Sequence, residues 1–459
     1  MRHELDSNLF KFSDLPLTQL SHTFAECSIW LAEGMADRMA TFDLVVRDMP
    51  VNRNYLVAAG LEEIVNYLMQ LKFNRDQIKF LSDDKLITPE FAKYLKTHKF
   101  SGDVYAMLEG TVFFPGEPMV RVTAPIIEAT LIEVFMFNVA SSNVGFMSKA
   151  ARYKTLADQI FISIGMMRPH SFESGIKASR SGYIAGLKPD SFPIFSKKFN
   201  IQPTKYIING QHLFIKSFKD ELTAFEKINE YFPDNASFMI DTYNFSTGLK
   251  NAIKVGLAMK QRGQQLRFVT IDAGDLHQLT CRARQELDQN GLEKVGILVA
   301  SNLDEYKIKK LIEQNTPADY YVTATEYNTL ADSPKLEVVY KLAELRQGKN
   351  IQYCAKLTPG KESYPARKQV FRKFKKGKMI GDVIGLDNEK LGTPLLKPII
   401  KKGKLVYKLP KLNQIRSYTD KQLKQLPIKL LDIEKQHSYP VKISSKLTKL
   451  FEGVKKQHG

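Results

Sequence analysis

The chain has 459 residues, too many for one ordinary hydrophobic core, so two or three domains are expected. Hydrophobic residues make up 43% of it, but no run approaches the roughly 20 apolar residues of a membrane span, which argues against a membrane protein. The N-terminus lacks the apolar stretch of a secretory signal. The three cysteines lie far apart, without metal-ligand spacing. We therefore expect a cytoplasmic protein with reduced thiols.

The net charge of +18 is concentrated in one part of the chain. Residues 361–459 contain 25 Lys and Arg against 8 Asp and Glu, a balance of +17, so the first 360 residues sum to +1. Such a region can bind nucleic acid, a membrane surface or phosphate-rich ligands. It is also typical of a solvated lysine-rich surface. We favour the solvated surface and do not expect nucleic acid as a partner.

Two kinds of pattern follow one another along the chain. Residues 40–47 read as a strand, and Leu61, Ile64, Val65 and Leu68 recur at helical spacing. Farther on, short apolar runs each end at a polar residue and precede a helical pattern. These polar residues follow at intervals of 24 to 31 residues and are Asp241, Asp272, Ser301, Thr325 and Lys356. Continuous apolar runs at this spacing are typical of parallel strands in βα repeats.

The repeats predict an α/β fold, as a barrel or a doubly wound sheet. Polar residues at the strand ends favour the barrel, because barrel enzymes collect their chemistry there. We predict an N-terminal α/β sandwich-like domain over 1–150, an irregular (β/α) barrel over 151–360 and a lysine-rich C-terminal extension or subdomain over 361–459.

His212 is the most reactive side chain among these repeats. It lies one repeat before Asp241, so a barrel would bring it near Asp241, Asp272 and Asp275. A histidine among carboxylates serves metal–phosphate chemistry, or acts as a nucleophile oriented by a carboxylate. A structural histidine beside helix-capping aspartates is the alternative, and Asp275 could cap a helix without any other role.

Several segments, in the same order, resemble motifs of the nicotinate phosphoribosyltransferase family. The likeness runs from about residue 25 to about residue 372. The segments include Ala40-Thr41-Phe42-Asp43-Leu44, Phe114-Pro115-Gly116-Glu117-Pro118, Ser148-Lys149-Ala150-Ala151-Arg152, Gln211-His212, Asp241-Thr242-Tyr243 and Asp272-Ala273-Gly274-Asp275.

The resemblance implies an enzyme of NAD salvage that joins nicotinate to phosphoribosyl pyrophosphate, with ATP hydrolysis coupled through a phosphohistidine. It also implies Mg²⁺, small-molecule substrates and a homodimer with shared active sites. His212 would accept the phosphoryl group, Asp241 would orient its ring, and Asp272 and Asp275 would stand near the ribose and the Mg²⁺ ion. The remaining substrate-binding positions by this resemblance are His22, Arg168, Thr270, Thr325 and Lys356.

The base pocket departs from the family pattern. His22 stands in place of a stacking tyrosine, and Thr270 in place of an arginine. Ile164 and Met167 replace an aromatic residue and another arginine. Arginine binds a carboxylate as a bidentate, charge-assisted pair, which threonine and methionine cannot form. Two alternatives therefore stay open: a phosphoribosyltransferase for another base, and a catalytically degenerate relative with a binding or regulatory role.

Overall fold

The structure is a computed structural model that describes residues 11–162, 168–188, 192–201 and 207–458, and the chain divides into two units. Unit 1 consists of Met1–Gly145 and Lys335–Gly459, and unit 2 is the intervening segment Phe146–Pro334. Unit 1 is therefore discontinuous in sequence.

The first part of unit 1 mixes short helices with strands. After a 3-10 turn at Phe12–Leu17, its elements are α1 (Ser21–Ala32), β1 (Met39–Val46), β2 (Leu56–Val57), α2 (Leu61–Gln70), α3 (Arg75–Asp83), α4 (Pro89–Leu95), β3 (Asp103–Met107), β4 (Val112–Phe113), β5 (Pro118–Pro125), α5 (Ile126–Thr130) and α6 (Glu133–Leu156). The predicted strand over 40–47 and the helix carrying Leu61, Ile64, Val65 and Leu68 are both confirmed. The four apolar side chains are the buried face of α2.

Unit 2 begins within α6 and then alternates strands with helices. Its elements are β6 (Ile160–Ile162), α7 (Phe172–Ala185), α8 (Pro193–Phe199), β7 (Ile208–Gly210), α9 (His212–Lys216), α10 (Glu221–Tyr231), a 3-10 turn at Pro233–Asn235, β8 (Ala236–Met239), α11 (Phe245–Gln261), β9 (Phe268–Ile271), α12 (Leu276–Gln289), β10 (Gly296–Val299), α13 (Glu305–Glu313), β11 (Tyr320–Thr323) and α14 (Thr325–Asn328). Side-chain caps start several helices: Asp220, Asn244 and Asp304 each accept an N–H of the following first turn.

The last part of unit 1 is mostly antiparallel. Its elements are β12 (Val338–Gln347), β13 (Asn350–Tyr353), β14 (Lys368–Lys375), β15 (Lys378–Leu386), β16 (Thr393–Pro394), β17 (Leu396–Lys401), β18 (Lys404–Leu405), α15 (Leu412–Gln425), a 3-10 turn at Ile428–Leu431, β19 (Val441–Ile443) and α16 (Ser445–His458).

Three sheets build unit 1. A seven-stranded antiparallel sheet has the order β13-β12-β1-β5-β3-β17-β18, a four-stranded sheet has the order β16-β14-β15-β19, and β2 pairs with β4. Buried side chains such as Leu44 of β1, Val122 of β5 and Leu68 of α2 belong to one hydrophobic core. Burial of this apolar surface is the main stabilising contribution to the unit.

Unit 2 is built on a six-stranded parallel sheet with the order β6-β11-β10-β9-β8-β7. The first strand of the unit lies beside the last, and every other neighbour is consecutive in sequence. A (β/α) barrel opened between β6 and β7 would have this order, and no pairing of these two edge strands occurs among the described residues. The α/β class predicted from the repeats is confirmed, and the strand order is consistent with the predicted barrel.

The structure corrects the expected strand ending at Lys356. That segment is β13, which pairs antiparallel with β12 in unit 1 and has no place in the parallel sheet. Only Gly348 and Lys349 separate the two strands, and Gly348 has a positive φ of 58°. A two-residue connection forms a hairpin, whereas a parallel crossover needs a dozen or more residues.

The basic region over 361–459 is likewise no separate extension. Its strands β14 to β19 supply the whole four-stranded sheet, and β17 pairs with β3 in the seven-stranded sheet. Arg372, buried in this region, binds Asp382 through two guanidinium nitrogens and donates to the Val112 carbonyl. The predicted boundaries at 150 and 360 differ from the observed ones because the chain returns to unit 1 at Lys335.

Candidate active site

Polar side chains follow the carboxyl ends of five adjacent parallel strands in unit 2. His212 begins α9 after β7, Asp241 follows β8 and Asp272 follows β9. Ser301 follows β10, and Thr325 begins α14 after β11. Because neighbouring parallel strands end at one edge of a sheet, these residues lie along the same edge. The five share one edge, as the strand-end pattern predicted, and Lys356 does not join them in the sheet.

The His212 ring is held by a hydroxyl. Its Nδ1 lies 3.0 Å from Oγ1 of Thr242, and its Nε2 lies 3.9 Å from Oδ2 of Asp272. The second distance is too long for a hydrogen bond. The side chain is 38% exposed, so the ring is partly accessible to a ligand. Thr242 thus makes the described contact with the ring that was expected of Asp241.

Asp241 contacts Asp272 instead of the His212 ring. Its Oδ2 accepts the Asp272 backbone N–H at 2.6 Å, while its Oδ1 is buried without a hydrogen-bond partner among the described residues. Burial raises the pKa of Asp272, and the nearby Asp241 carboxylate raises it further. His212, the Ser301 N–H and Arg168 oppose this rise in pKa. Two close carboxylates repel each other, which favours a cation or a proton between them.

Two segments at this edge have unusual backbone geometry. Ser301 and Asn302 have positive φ values of 85° and 47°, and Arg168 has a φ of 62°. Non-glycine residues rarely adopt this region, and such strained residues cluster at functional sites. Arg168 donates from Nη1 to Oγ1 of Thr325 at 3.2 Å, so the predicted substrate-binding pair is in contact.

A second polar group lies on the strands themselves. Ser237 of β8 and Thr270 of β9 both donate to Oδ1 of Asn209 on β7, each at 3.3 Å. Ser237 and Thr270 are buried, and Asn209 is half-buried. Thr270 was predicted from the sequence as a site residue, whereas Asn209, Ser237 and Thr242 were not. Strand alternation marks Ser237 and Thr270 as facing the same side as the strand-end aspartates.

The remaining predicted positions divide into three groups. Asp275 is exposed and caps α12, its Oδ1 accepting the Gln278 N–H at 3.0 Å, which is the structural role that the sequence left open. His22 on α1 and Lys356 after β13 belong to unit 1. Ile164 and Met167 lie outside the described residues.

Lys356 lies among other cations of unit 1. Burial lowers the pKa of Lys341, and the positive charges of Lys356, Arg47 and Lys361 lower it further. The Glu133 carboxylate opposes this shift and offsets part of the positive charge, and the remaining positive charge favours a bound anion.

No group of three or more His, Cys, Asp or Glu side chains within the described ranges has the arrangement of a metal site. The longest apolar helical stretch, residues 126–156, meets the length and hydropathy of a membrane span. However, 61% of its apolar window is buried inside the structure, as in a core helix of a soluble protein.

Comparison with known proteins identifies the family of this chain. The nicotinate phosphoribosyltransferase N-terminal domain matches residues 22–141, and the C-terminal domain of the same family matches residues 391–451. A nicotinate phosphoribosyltransferase of Mycobacterium tuberculosis is 34% identical over 419 residues, covering 90% of this chain and 89% of that protein. The chain belongs to the nicotinate phosphoribosyltransferase family.

Other relatives extend the match over nearly the whole chain. The nicotinate phosphoribosyltransferase of Bacillus subtilis is 30% identical over 473 residues, covering 96% of this chain and 94% of that protein. The crystal structure of human nicotinic acid phosphoribosyltransferase matches with a TM-score of 0.83 at 21% identity, covering 95% of this chain and 99% of that one. The structural match supports the fold, and the family's C-terminal domain accounts for most of the basic region.

Proposed function

We propose that this chain is an ATP-dependent nicotinate phosphoribosyltransferase of NAD salvage. It would join nicotinate to phosphoribosyl pyrophosphate, giving nicotinate mononucleotide and pyrophosphate. The observation that carries the proposal is an accessible histidine beside two carboxylates, at the strand ends of a chain that belongs to this family. The three cysteines are free thiols, which fits the cytoplasmic setting that we propose.

His212 is the proposed phosphoryl acceptor. The Thr242 hydroxyl accepts a hydrogen bond when Nδ1 carries the proton, and this tautomer leaves the Nε2 lone pair for attack on phosphorus. The Nε2–P bond forms as the bond between the terminal phosphoryl group and its bridging oxygen breaks, releasing ADP. Water later accepts the phosphoryl group from the histidine.

The carboxylates fit a divalent cation that is held mainly by substrate phosphates. Burial raises the pKa of Asp272 and the neighbouring Asp241 carboxylate raises it further, and a cation would relieve the repulsion between the two carboxylates. Asp275 uses Oδ1 as a helix cap, which leaves its other oxygen as a ligand. Mg²⁺ takes one or two carboxylates together with phosphate oxygens, so it needs no cluster of three protein ligands. Bound there, it would offset the negative charge of the phosphates.

Arg168 and Thr325 would bind the phosphates of phosphoribosyl pyrophosphate. Both lie at the strand ends of unit 2, where Arg168 donates to the Thr325 hydroxyl. We propose that the enzyme is a homodimer with shared active sites, as the family resemblance implies. Sedimentation velocity at increasing protein concentration tests this assembly.

The test of the function is direct. Purified protein with Mg-ATP, phosphoribosyl pyrophosphate and nicotinate should form nicotinate mononucleotide, pyrophosphate and an acid-labile, base-stable phosphoprotein. His212→Asn should abolish the phosphoprotein while the fold persists, since one polar exchange at a half-exposed position rarely unfolds a large protein. Unchanged ATP hydrolysis in this variant would rule out the assignment of His212.

A phosphoribosyltransferase for another base is the second candidate. The observation that favours it is Thr270, which bonds to Asn209 where the family resemblance calls for an arginine. Incubation with a panel of bases, nicotinamide included, separates the two candidates by the nucleotide formed. A degenerate relative would form no nucleotide with any base.

A further inference from the structure

One face of the six-stranded sheet carries a polar contact that the phosphoryl chemistry does not use. Asn209 pairs with Ser237, and Thr270 pairs with Met239, two residues farther along β8. Since side chains alternate along strands, Asn209, Ser237 and Thr270 project from the same face. Their hydrogen bonds link three neighbouring strands through one carboxamide oxygen.

This contact lies below the reacting groups. Thr270 is two residues before Asp272, and Ser237 is four residues before Asp241. With a strand rise of about 3.3 Å per residue, Thr270 lies roughly 7 Å deeper along the sheet than Asp272. A base whose reacting nitrogen meets the ribose at the strand ends would extend its exocyclic group toward this deeper layer.

The hydrogen bonds fix the direction of the Asn209 side chain. Both hydroxyls donate to its Oδ1, so its Nδ2 carries two N–H donors on the opposite side of the carboxamide. No described residue accepts a hydrogen bond from Nδ2. Met239 and Phe268, half-buried on the same face, supply apolar surface beside it. Apolar walls with a few directed polar groups are typical of a site for a flat ring.

We infer that Asn209 is a specificity-determining residue whose Nδ2 donates to the exocyclic oxygen of the acceptor base. The inference rests on the proposed function, and it names a neutral contact in place of the arginines that the family resemblance calls for. Ser237 and Thr270 are positioning residues, because they hold the carboxamide without presenting a charge. A neutral N–H binds a carboxylate oxygen or a carboxamide oxygen, so this contact recognises the oxygen and not the negative charge.

The experiment measures steady-state kinetics of the full chain with Mg-ATP, phosphoribosyl pyrophosphate and either nicotinate or nicotinamide. Asn209→Ala should raise the KM of each base that wild type uses by about tenfold or more, the loss expected for one buried hydrogen bond. The KM of phosphoribosyl pyrophosphate should stay within about twofold, because the phosphates bind at the strand ends. Calorimetric titration of nicotinate, with phosphoribosyl pyrophosphate present, gives the same comparison without turnover.

Asn209→Asp separates oxygen recognition from a structural role. The carboxylate matches the carboxamide in shape and still accepts from both hydroxyls, but it repels nicotinate and removes the donor. Nicotinate affinity should fall at least tenfold more than nicotinamide affinity. Thr270→Val should weaken base binding less than Asn209→Ala does, and Thr270→Ser should restore it. Asn290→Ala, at the exposed end of α12, is the matched control and should leave every constant unchanged.

Two outcomes overturn the inference and leave the proposed function intact. One is an Asn209→Ala enzyme with unchanged base KM, and the other is an Asn209→Asp enzyme that weakens both bases equally. A wild-type protein that forms no nucleotide from either base would contradict the proposed function. Calorimetry then tests the inference separately. The inference is overturned as well if Asn209→Ala does not change the binding of nicotinate or nicotinamide.

Discussion

Four charged side chains form a buried cluster in unit 2, and neutralising one of them should strongly destabilise the protein. Glu305 of α13 lies 3.2 Å from Lys149 Nζ and 3.0 Å from Arg152 Nη1, both on α6. Asp332 contacts the same two cations. Glu305 is fully buried, and none of the four side chains is more than 12% exposed. Two positive and two negative charges therefore balance in a nearly dry environment.

The change Glu305→Gln keeps the shape of the side chain and leaves the cluster with one uncompensated positive charge. Breaking a buried pair in this way costs about 3–5 kcal/mol. In a unit of this size, each kcal/mol lowers the melting temperature by about 2–4 °C, so a shift of roughly 6–20 °C is expected. Differential scanning calorimetry of the full chain measures the shift, and limited proteolysis shows whether unit 2 is the part that opens.

An exposed pair provides the control. Lys79 and Asp83 form an ion pair in solvent on α3, so Asp83→Asn should leave the melting temperature unchanged. A Glu305→Gln protein that melts within about 2 °C of wild type would refute the reasoning, because a buried unbalanced charge must be costly. It would mean that water reaches the cluster or that the buried groups change protonation.

Three further predictions concern other parts of the chain. Burial lowers the pKa of His98 to about 4, so only the unfolded chain takes up the proton between roughly pH 6.5 and 4. The free energy of unfolding should therefore fall by up to about 3 kcal/mol as the pH decreases through this range. Urea titrations should show a weaker pH dependence of the unfolding free energy in His98→Gln. Thr242→Val should slow phosphorylation of His212 and Thr242→Ser should restore it; equal rates in all three proteins would exclude a positioning role. The basic region over 361–459 should not bind duplex DNA at low salt in a filter-binding assay, and binding that falls steeply with salt would contradict the solvated-surface interpretation.

The strand-end pattern found Asp241, Asp272 and Thr325 for a local reason. The pattern is an apolar run that ends at a polar residue and precedes a capped helix, and it can be recognised from consecutive residues alone. Parallel strands then bring such polar residues to one edge of the sheet. The same pattern misplaced Lys356, because its strand also reads as an apolar run. The two-residue connection between β12 and β13 indicates an antiparallel hairpin, since it is too short for a parallel crossover.

Other features depend on contacts that no local pattern contains. Thr242 follows Asp241 directly, yet which of the two reaches the His212 ring depends on how the loop leaves β8. Gly248 of α11 contributes here: a Cβ at that position would lie 2.1 Å from the Ile240 carbonyl oxygen, so the helix packs closely against the end of β8. The Asn209 contact needs the register of three strands, which is fixed by the fold as a whole.

The segment Ser148-Lys149-Ala150-Ala151-Arg152 shows why a family-like motif need not belong to the site. Its two cations are buried against Glu305 and Asp332 and support unit 2. The residues that we propose to face a substrate fall instead into two layers of one sheet. His212 and Asp272 at the strand ends suit phosphate chemistry, whatever base is used. Asn209, one layer deeper, faces only the acceptor in the proposed arrangement. Because the layers use different side chains, we expect a change in the deeper one to alter the accepted base while the proposed phosphorylation of His212 continues.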